Sequence, residues 1–210
     1  MDKENLRKSK FDEAQLLKSS TVFYGVILVV GLMIGHYLHD SLATAWAPAA
    51  ASFSVSQLII LGCLGAGLIS IMSYVMEDLA SSYRSVREYM VSLVGQLSLM
   101  GALYLGVLSA VAEEVLFRMA IQPSVGVFVT SLMFALLHLG PGRALSVWSL
   151  LAFLSSLILG WTYDATANLW PAVIGHIGVN LISVLRFRVL YRAGNPDQGK
   201  ANSKDVRGIE

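Results

Sequence analysis

A single cysteine, Cys63, in 210 residues leaves no partner for an intrachain disulfide and so excludes a disulfide scaffold. Charge is scarce as well. Asp, Glu, Lys and Arg make up 14% of the chain and apolar residues 55%, whereas soluble domains carry about 25% charged residues. So apolar a chain is not disordered, and a net charge of +1 is not the basic field of a nucleic-acid binder. No internal repeat and no second domain is visible. What remains is an integral membrane protein, and the few charges it keeps become the informative residues.

Most of the basic residues stand outside the apolar runs. Five of the 15 precede residue 20, six fall from Arg186 onward, and Arg84, Arg87, Arg118 and Arg143 lie between. A bilayer crossing needs about 20 apolar helical residues, and the intervening runs predict six spans, at 21–39, 58–76, 91–112, 124–139, 144–162 and 169–185. The fold class is therefore all-α, a bundle of about six transmembrane helices around an interior polar cavity. The basic termini, the 77–90 loop and the Arg143 turn fall on one side, and the 40–57 and 163–168 connections, free of Lys and Arg, on the other. Both termini are then cytoplasmic. Arg118 is the exception, at the nominally outer end of the third span. Trp46, Trp161 and Trp170 suit an aromatic belt, and His36 and His39 an interfacial position. Ala43-Thr44-Ala45 has the form of a cleavage site, but the long run before it reads as a retained signal-anchor. Residues 1–20 form a cytoplasmic segment able to lie as a surface helix, 21–190 the transmembrane domain, and 191–210 a polar, disordered tail.

A charge at the centre of a spanning helix costs about 2.5–3.5 kcal/mol even on lenient insertion scales, so such groups face a protein or water-filled interior. Three polar clusters interrupt the apolar second half. In Glu113-Glu114-Val115-Leu116-Phe117-Arg118, Glu114 and Arg118 are i,i+4 with the acid first, the favourable order for an ion pair, while Glu113 points elsewhere. The plain alternative is a charged cap between two spans. Phe134-Ala135-Leu136-Leu137-His138 puts a histidine at the end of an apolar helix, where packing is the usual role. His176-Ile177-Gly178-Val179-Asn180 places His and Asn on one face, with a glycine that lets a backbone or a substrate approach; polar glue between helices would use the same pair. Together the clusters supply a base, donors for an oxyanion and an orienting cation, the inventory for activating water against a carbonyl.

The ordered set E-E-x-x-x-R, F-x-x-x-H and H-x-x-x-N on successive hydrophobic helices resembles the CAAX-protease and bacteriocin-processing (Abi) family of intramembrane endopeptidases. The resemblance covers a core of about residues 99–186, with Met119 where many members carry glycine. It implies that Glu113 with His138 activates the attacking water and that His176 and Asn180 stabilise the oxyanion. Glu114 and Arg118 would form a supporting pair. It also implies a glutamate mechanism with no cofactor. Zinc on Glu113, His138 and His176 is the alternative, although no H-E-x-x-H is present. The substrate would be a protein or peptide at the membrane, a C-terminal sorting tag being one candidate, and the location the bacterial inner membrane. A proton-coupled transporter and a non-catalytic immunity or scaffold protein are the rival functions. One geometric demand follows. Simple antiparallel spans would part Glu113 from His138 by about 20–30 Å, so the third helix should run on through Arg118 to about Ile121, with Pro123 as its stop.

Overall fold

The computed structural model describes residues 12–39, 53–139 and 143–194. All elements among them are helical. They are α1 (Glu13–His39), α2 (Val55–Leu79), α3 (Ser81–Val94), α4 (Leu99–Glu114), a π-helical segment (Val115–Ile121), α5 (Gln122–Leu137), α6 (Arg143–Thr166) and α7 (Trp170–Gly194). Among the described residues five segments are long and apolar enough to cross a membrane, and the third of them, Leu99–Leu137, is 39 residues long. Trp46 and most of the expected tail, residues 195–210, lie outside the described residues; residues 13–20 are the first turns of α1.

Local chemistry sets the helix starts. Ser54 caps α2 in a reciprocal capping box with Gln57. Ser98 caps α4, its Oγ accepting from the Gly101 N–H at 3.0 Å. The Glu13 carboxylate in turn accepts from the Ser98 N–H at 3.1 Å and from its hydroxyl at 2.5 Å, an anion placed where a helix N-terminus favours one. This cap moves the expected start of the third span from residue 91 to Leu99; residues 81–94 form the separate, amphipathic α3.

The expectation of separate third and fourth spans with a stop at Pro123 is corrected. The helix does run through Glu113–Arg118, widening to i→i+5 hydrogen bonding that ends with Gln122 N–H donating to the Phe117 carbonyl. Pro123 then sits in the first turn of α5, where its missing N–H costs nothing. The break comes at Gly126, whose φ of 78° and ψ of 166° are open only to glycine. There the chain doubles back, because the Phe117 and Phe134 rings meet edge to face at 5.0 Å, although a straight helix would hold them about 26 Å apart. The returning arm, 127–137, is about 17 Å long, half the hydrocarbon thickness.

Helices α2 and α7 close on each other through small residues. A Cβ on Gly62 would stand 2.7 Å from Ile174, and one on Gly178 2.7 Å from the Cβ of Ala66. Gly178 therefore admits a neighbouring backbone rather than a substrate, as small residues do between membrane helices. Gly31 similarly brings α1 to within 2.9 Å of the Leu116 Cα, measured from an added Cβ. At one end of the bundle Glu77 binds Arg186 at 2.6 Å and also Arg87, joining α2, α3 and α7. Nearby, Ser73 and Tyr83 share a 2.5 Å hydrogen bond. Burial pushes the Tyr83 hydroxyl above its ordinary range and Glu77 adds to this, while Ser73 and Arg186 oppose.

Candidate active site

A cavity of about 270 Å³ opens between α1, α2, α3, α4, α5, α6 and α7, and Glu113, His138, His176 and Asn180 all line it. The doubled-back chain explains how. Glu113 stands thirteen residues before Gly126 and His138 twelve after it, so two antiparallel arms of nearly equal length bring them level. The wide separation of simple antiparallel spans does not arise.

Glu114 and Arg118 are wholly buried, and the Arg118 Nε donates to Glu114 Oε2 at 2.8 Å. The guanidinium also donates to Ser156 Oγ at 2.8 Å and to Gln122 Oε1 at 3.2 Å. Gln122 passes the network on to the Gly160 carbonyl at 2.9 Å and to Asp164 at 2.6 Å. Arg118 is thus an interior cation, which removes it as an exception to the charge asymmetry of the loops. The second oxygen of Glu114 accepts from His176 Nδ1 at 2.7 Å. One carboxylate therefore fixes both the arginine and the imidazole, as an outer carboxylate orients a working histidine elsewhere. With Nδ1 so held, His176 Nε2 stands 3.9 Å from Glu113 Oε2.

His138 Nδ1 lies 2.8 Å from the Phe134 carbonyl. A carbonyl can only accept, so Nδ1 carries the proton and Nε2 keeps its lone pair in the neutral ring. The Phe134 ring stacks on His138 at 4.3 Å and meets His176 edge-on at 6.2 Å. This single ring positions both histidines. Sequence reasoning recorded Phe134 only as a motif letter, although its i,i+4 spacing to His138 was the signal.

Asn180 donates to the Gly106 carbonyl at 3.0 Å and to Ser109 Oγ at 3.2 Å. Both of its amide hydrogens point at α4 in this state. Tyr24 of α1, which sequence reasoning missed, lines the same cavity as Glu113 and Ser109. Nothing in the apolar first span marks it out. Ser109 carried a faint signal, sharing a helix face with Glu113 at i,i+4. Among the described residues no three His, Cys, Asp or Glu side chains converge as a metal site. The zinc set Glu113, His138 and His176 lines one cavity without closing on a common point. Cys63 is exposed on α2 and is not among the residues lining this cavity.

Residues 95–182 match the family model of type II CAAX prenyl endopeptidase Rce1-like proteins. The uncharacterized protein YpbD of Bacillus subtilis is 35% identical over 88 residues, which cover 41% of this chain and 45% of that protein. The chain thus spans less than half the length of this curated relative. No solved structure matches the chain significantly.

Proposed function

We propose, from the premise that residues 95–182 are an Rce1-like domain of a CAAX-type intramembrane protease family, that the protein is a glutamate-dependent endopeptidase. It would cleave a protein or peptide held at the membrane. The observation that carries this reading is the convergence of Glu113, His138 and His176 on one cavity, each histidine having its Nδ1 committed and its Nε2 available.

In the proposed reaction a water lies between Glu113 and His138 and is polarised by both. Glu113 takes a proton as the water oxygen bonds to the scissile carbonyl carbon. His176, protonated on both ring nitrogens between Glu114 and Glu113, donates its Nε2–H to the oxyanion while Nδ1–H stays on Glu114. Asn180 joins it by releasing Ser109, the longer of its two bonds, while keeping Gly106. Collapse breaks the C–N bond, and the proton held by Glu113 passes to the leaving amine. Donors preset at the developing charge are worth about 2.7–4 kcal/mol each in comparable hydrolases. Glu114 and Arg118 hold His176 in register and touch no substrate. The 3.9 Å between His176 Nε2 and Glu113 is a gap that one water can bridge. The cavity walls beside the polar groups, among them Ile69, Met90, Leu105, Val184 and Phe187, favour an apolar segment next to the cut.

The test is terminal proteomics of membranes from cells lacking the gene and complemented with wild type, Glu113→Ala or His138→Ala. New protein termini should appear with wild type and vanish in both variants; termini that persist in both would overturn the assignment. A peptide spanning the cut should still be cleaved by protein stripped of zinc. Loss of cleavage that zinc alone restores would replace the bare carboxylate with a metal.

A further inference from the structure

The lining of the cavity follows the helices in rows. On α4 it runs from Ala102 to Glu113 and on α7 from His176 to Phe187, eleven positions in each case. At 1.5 Å per residue the cavity is therefore a slot about 16 Å long. The two rows are antiparallel, and their ends meet. Glu113 and His176 stand 3.9 Å apart at one end. At the other, Ala102, Val184 and Phe187 pack together with Val94 of α3, and Met90 and Leu105 lie against them. The reacting groups are thus confined to one end of the slot, and the far end is apolar. The two ends also come from different parts of the chain. Glu113, His138, His176 and Asn180 all fall within residues 95–182, the part that matches the family model, whereas Met90, Val94, Val184 and Phe187 fall outside it.

An extended peptide rises about 3.3 Å per residue, so one with its scissile carbonyl between Glu113 and His176 reaches the far end with about its fifth residue. Between the ends the slot carries the hydroxyls of Ser155 on α6 and Ser183 on α7. A peptide backbone taken out of water needs such partners and an acyl chain does not, so the slot suits a peptide along its whole length. We propose that Met90, with Val94 and Phe187, forms a specificity subsite for a large apolar side chain of the substrate, about five residues from the cut. This rests on reading Glu113 and the two histidines as the peptide-cleaving groups. Met90 and Val94 are i,i+4 on α3 and present one face to the slot. Met90 is the adaptable part of the wall, an unbranched thioether that fits itself to leucine, isoleucine or phenylalanine and leaves alanine loosely held.

The test uses the full chain in lipid nanodiscs and a cut sequence found by the terminal proteomics above. Peptides spanning that cut carry alanine, leucine or tryptophan in turn at the fourth, fifth and sixth residues on each side, and kcat/KM is measured for each. At one of these positions wild type should prefer leucine to alanine by about 10-fold. Met90→Trp fills the far end and should bring that ratio to about 1 or below. Met90→Ala enlarges it and should raise tryptophan several-fold relative to leucine. Met100→Trp, at an exposed position of α4, should leave both ratios in place. Each ratio compares two peptides on one preparation, so partial misfolding of a variant lowers both rates and does not move it. Ratios that keep their wild-type values in both Met90 variants, equal shifts in Met100→Trp, or no preference for leucine at any position overturn the subsite while cleavage itself stands. If wild type cleaves none of the peptides and yields no new termini in cells, the endopeptidase reading fails and the subsite falls with it.

Discussion

Arg118 has no exposed surface, and its guanidinium has three partners, Glu114, Gln122 and Ser156. The pair it makes with Glu114 is not evidence of stability in itself, because taking two charges from water costs several kcal/mol per ion. Removing one partner is another matter. Arg118→Ala should destabilise the protein by about 3–5 kcal/mol by stranding the Glu114 charge, read as a lowered thermal midpoint in nanodiscs. Arg118→Met/Glu114→Gln should cost less than the single change. A double variant as unstable as Arg118→Ala would refute the stranded-charge account. This pair was legible in the sequence because ionisable residues inside apolar runs are expensive and carry their own spacing rule. The same reasoning could not find Tyr24. A tyrosine among apolar residues costs little, and Glu113, which lines the same cavity, lies 89 positions away on another helix. Phe134 was in plain view, but the letter gives no hint that one ring serves two imidazoles.

Among the elements, the apolar spans were readable from length and hydropathy, and the hairpin inside the third of them was not. Pro123 is the louder signal, yet a proline in a first helical turn breaks nothing. Gly126 turns the chain through a backbone conformation that no letter announces. Because a Cβ at Gly126 would meet nothing within 4 Å, Gly126→Ala isolates backbone strain from packing. It should cost about 1–3 kcal/mol and lower cleavage further than stability alone predicts, by moving His138 out of level with Glu113. Gly25, in the middle of α1 and equally uncrowded, is the control: Gly25→Ala should be neutral or slightly stabilising, since alanine is the better helix former. Thermal midpoints and peptide cleavage rates of the two variants check this directly. Equal behaviour would mean that Gly126 is not the vertex.

For the whole molecule the hairpin decides on which side the termini lie. If Leu99–Leu137 crossed the membrane once, five crossings would leave the two ends of the chain on opposite faces. The contacts place them together. Glu13, at the start of α1, binds Ser98. Tyr191, near the end of α7, packs where a Cβ on Gly95 would meet it at 2.6 Å, three residues before Ser98. The Glu77–Arg87–Arg186 cluster joins this end, and Gln122 and Asp164 meet away from it. A third segment that turns back at Gly126 restores the even parity these contacts require. Arg87 and Arg186 stand at the end they share; in the sequence 3–18, 84–87 and 186–192 are the basic stretches, and the 40–57 and 163–168 connections hold no Lys or Arg. The positive-inside rule predicts a cytoplasmic shared end. Green fluorescent protein fused to either terminus should therefore fluoresce. Alkaline phosphatase fused there should be inactive, and the same enzyme inserted within 40–52 active. Active phosphatase at the C-terminus alone would mean an odd number of crossings, and with it a third segment that passes straight through, leaving Glu113 and His138 too far apart to share a water.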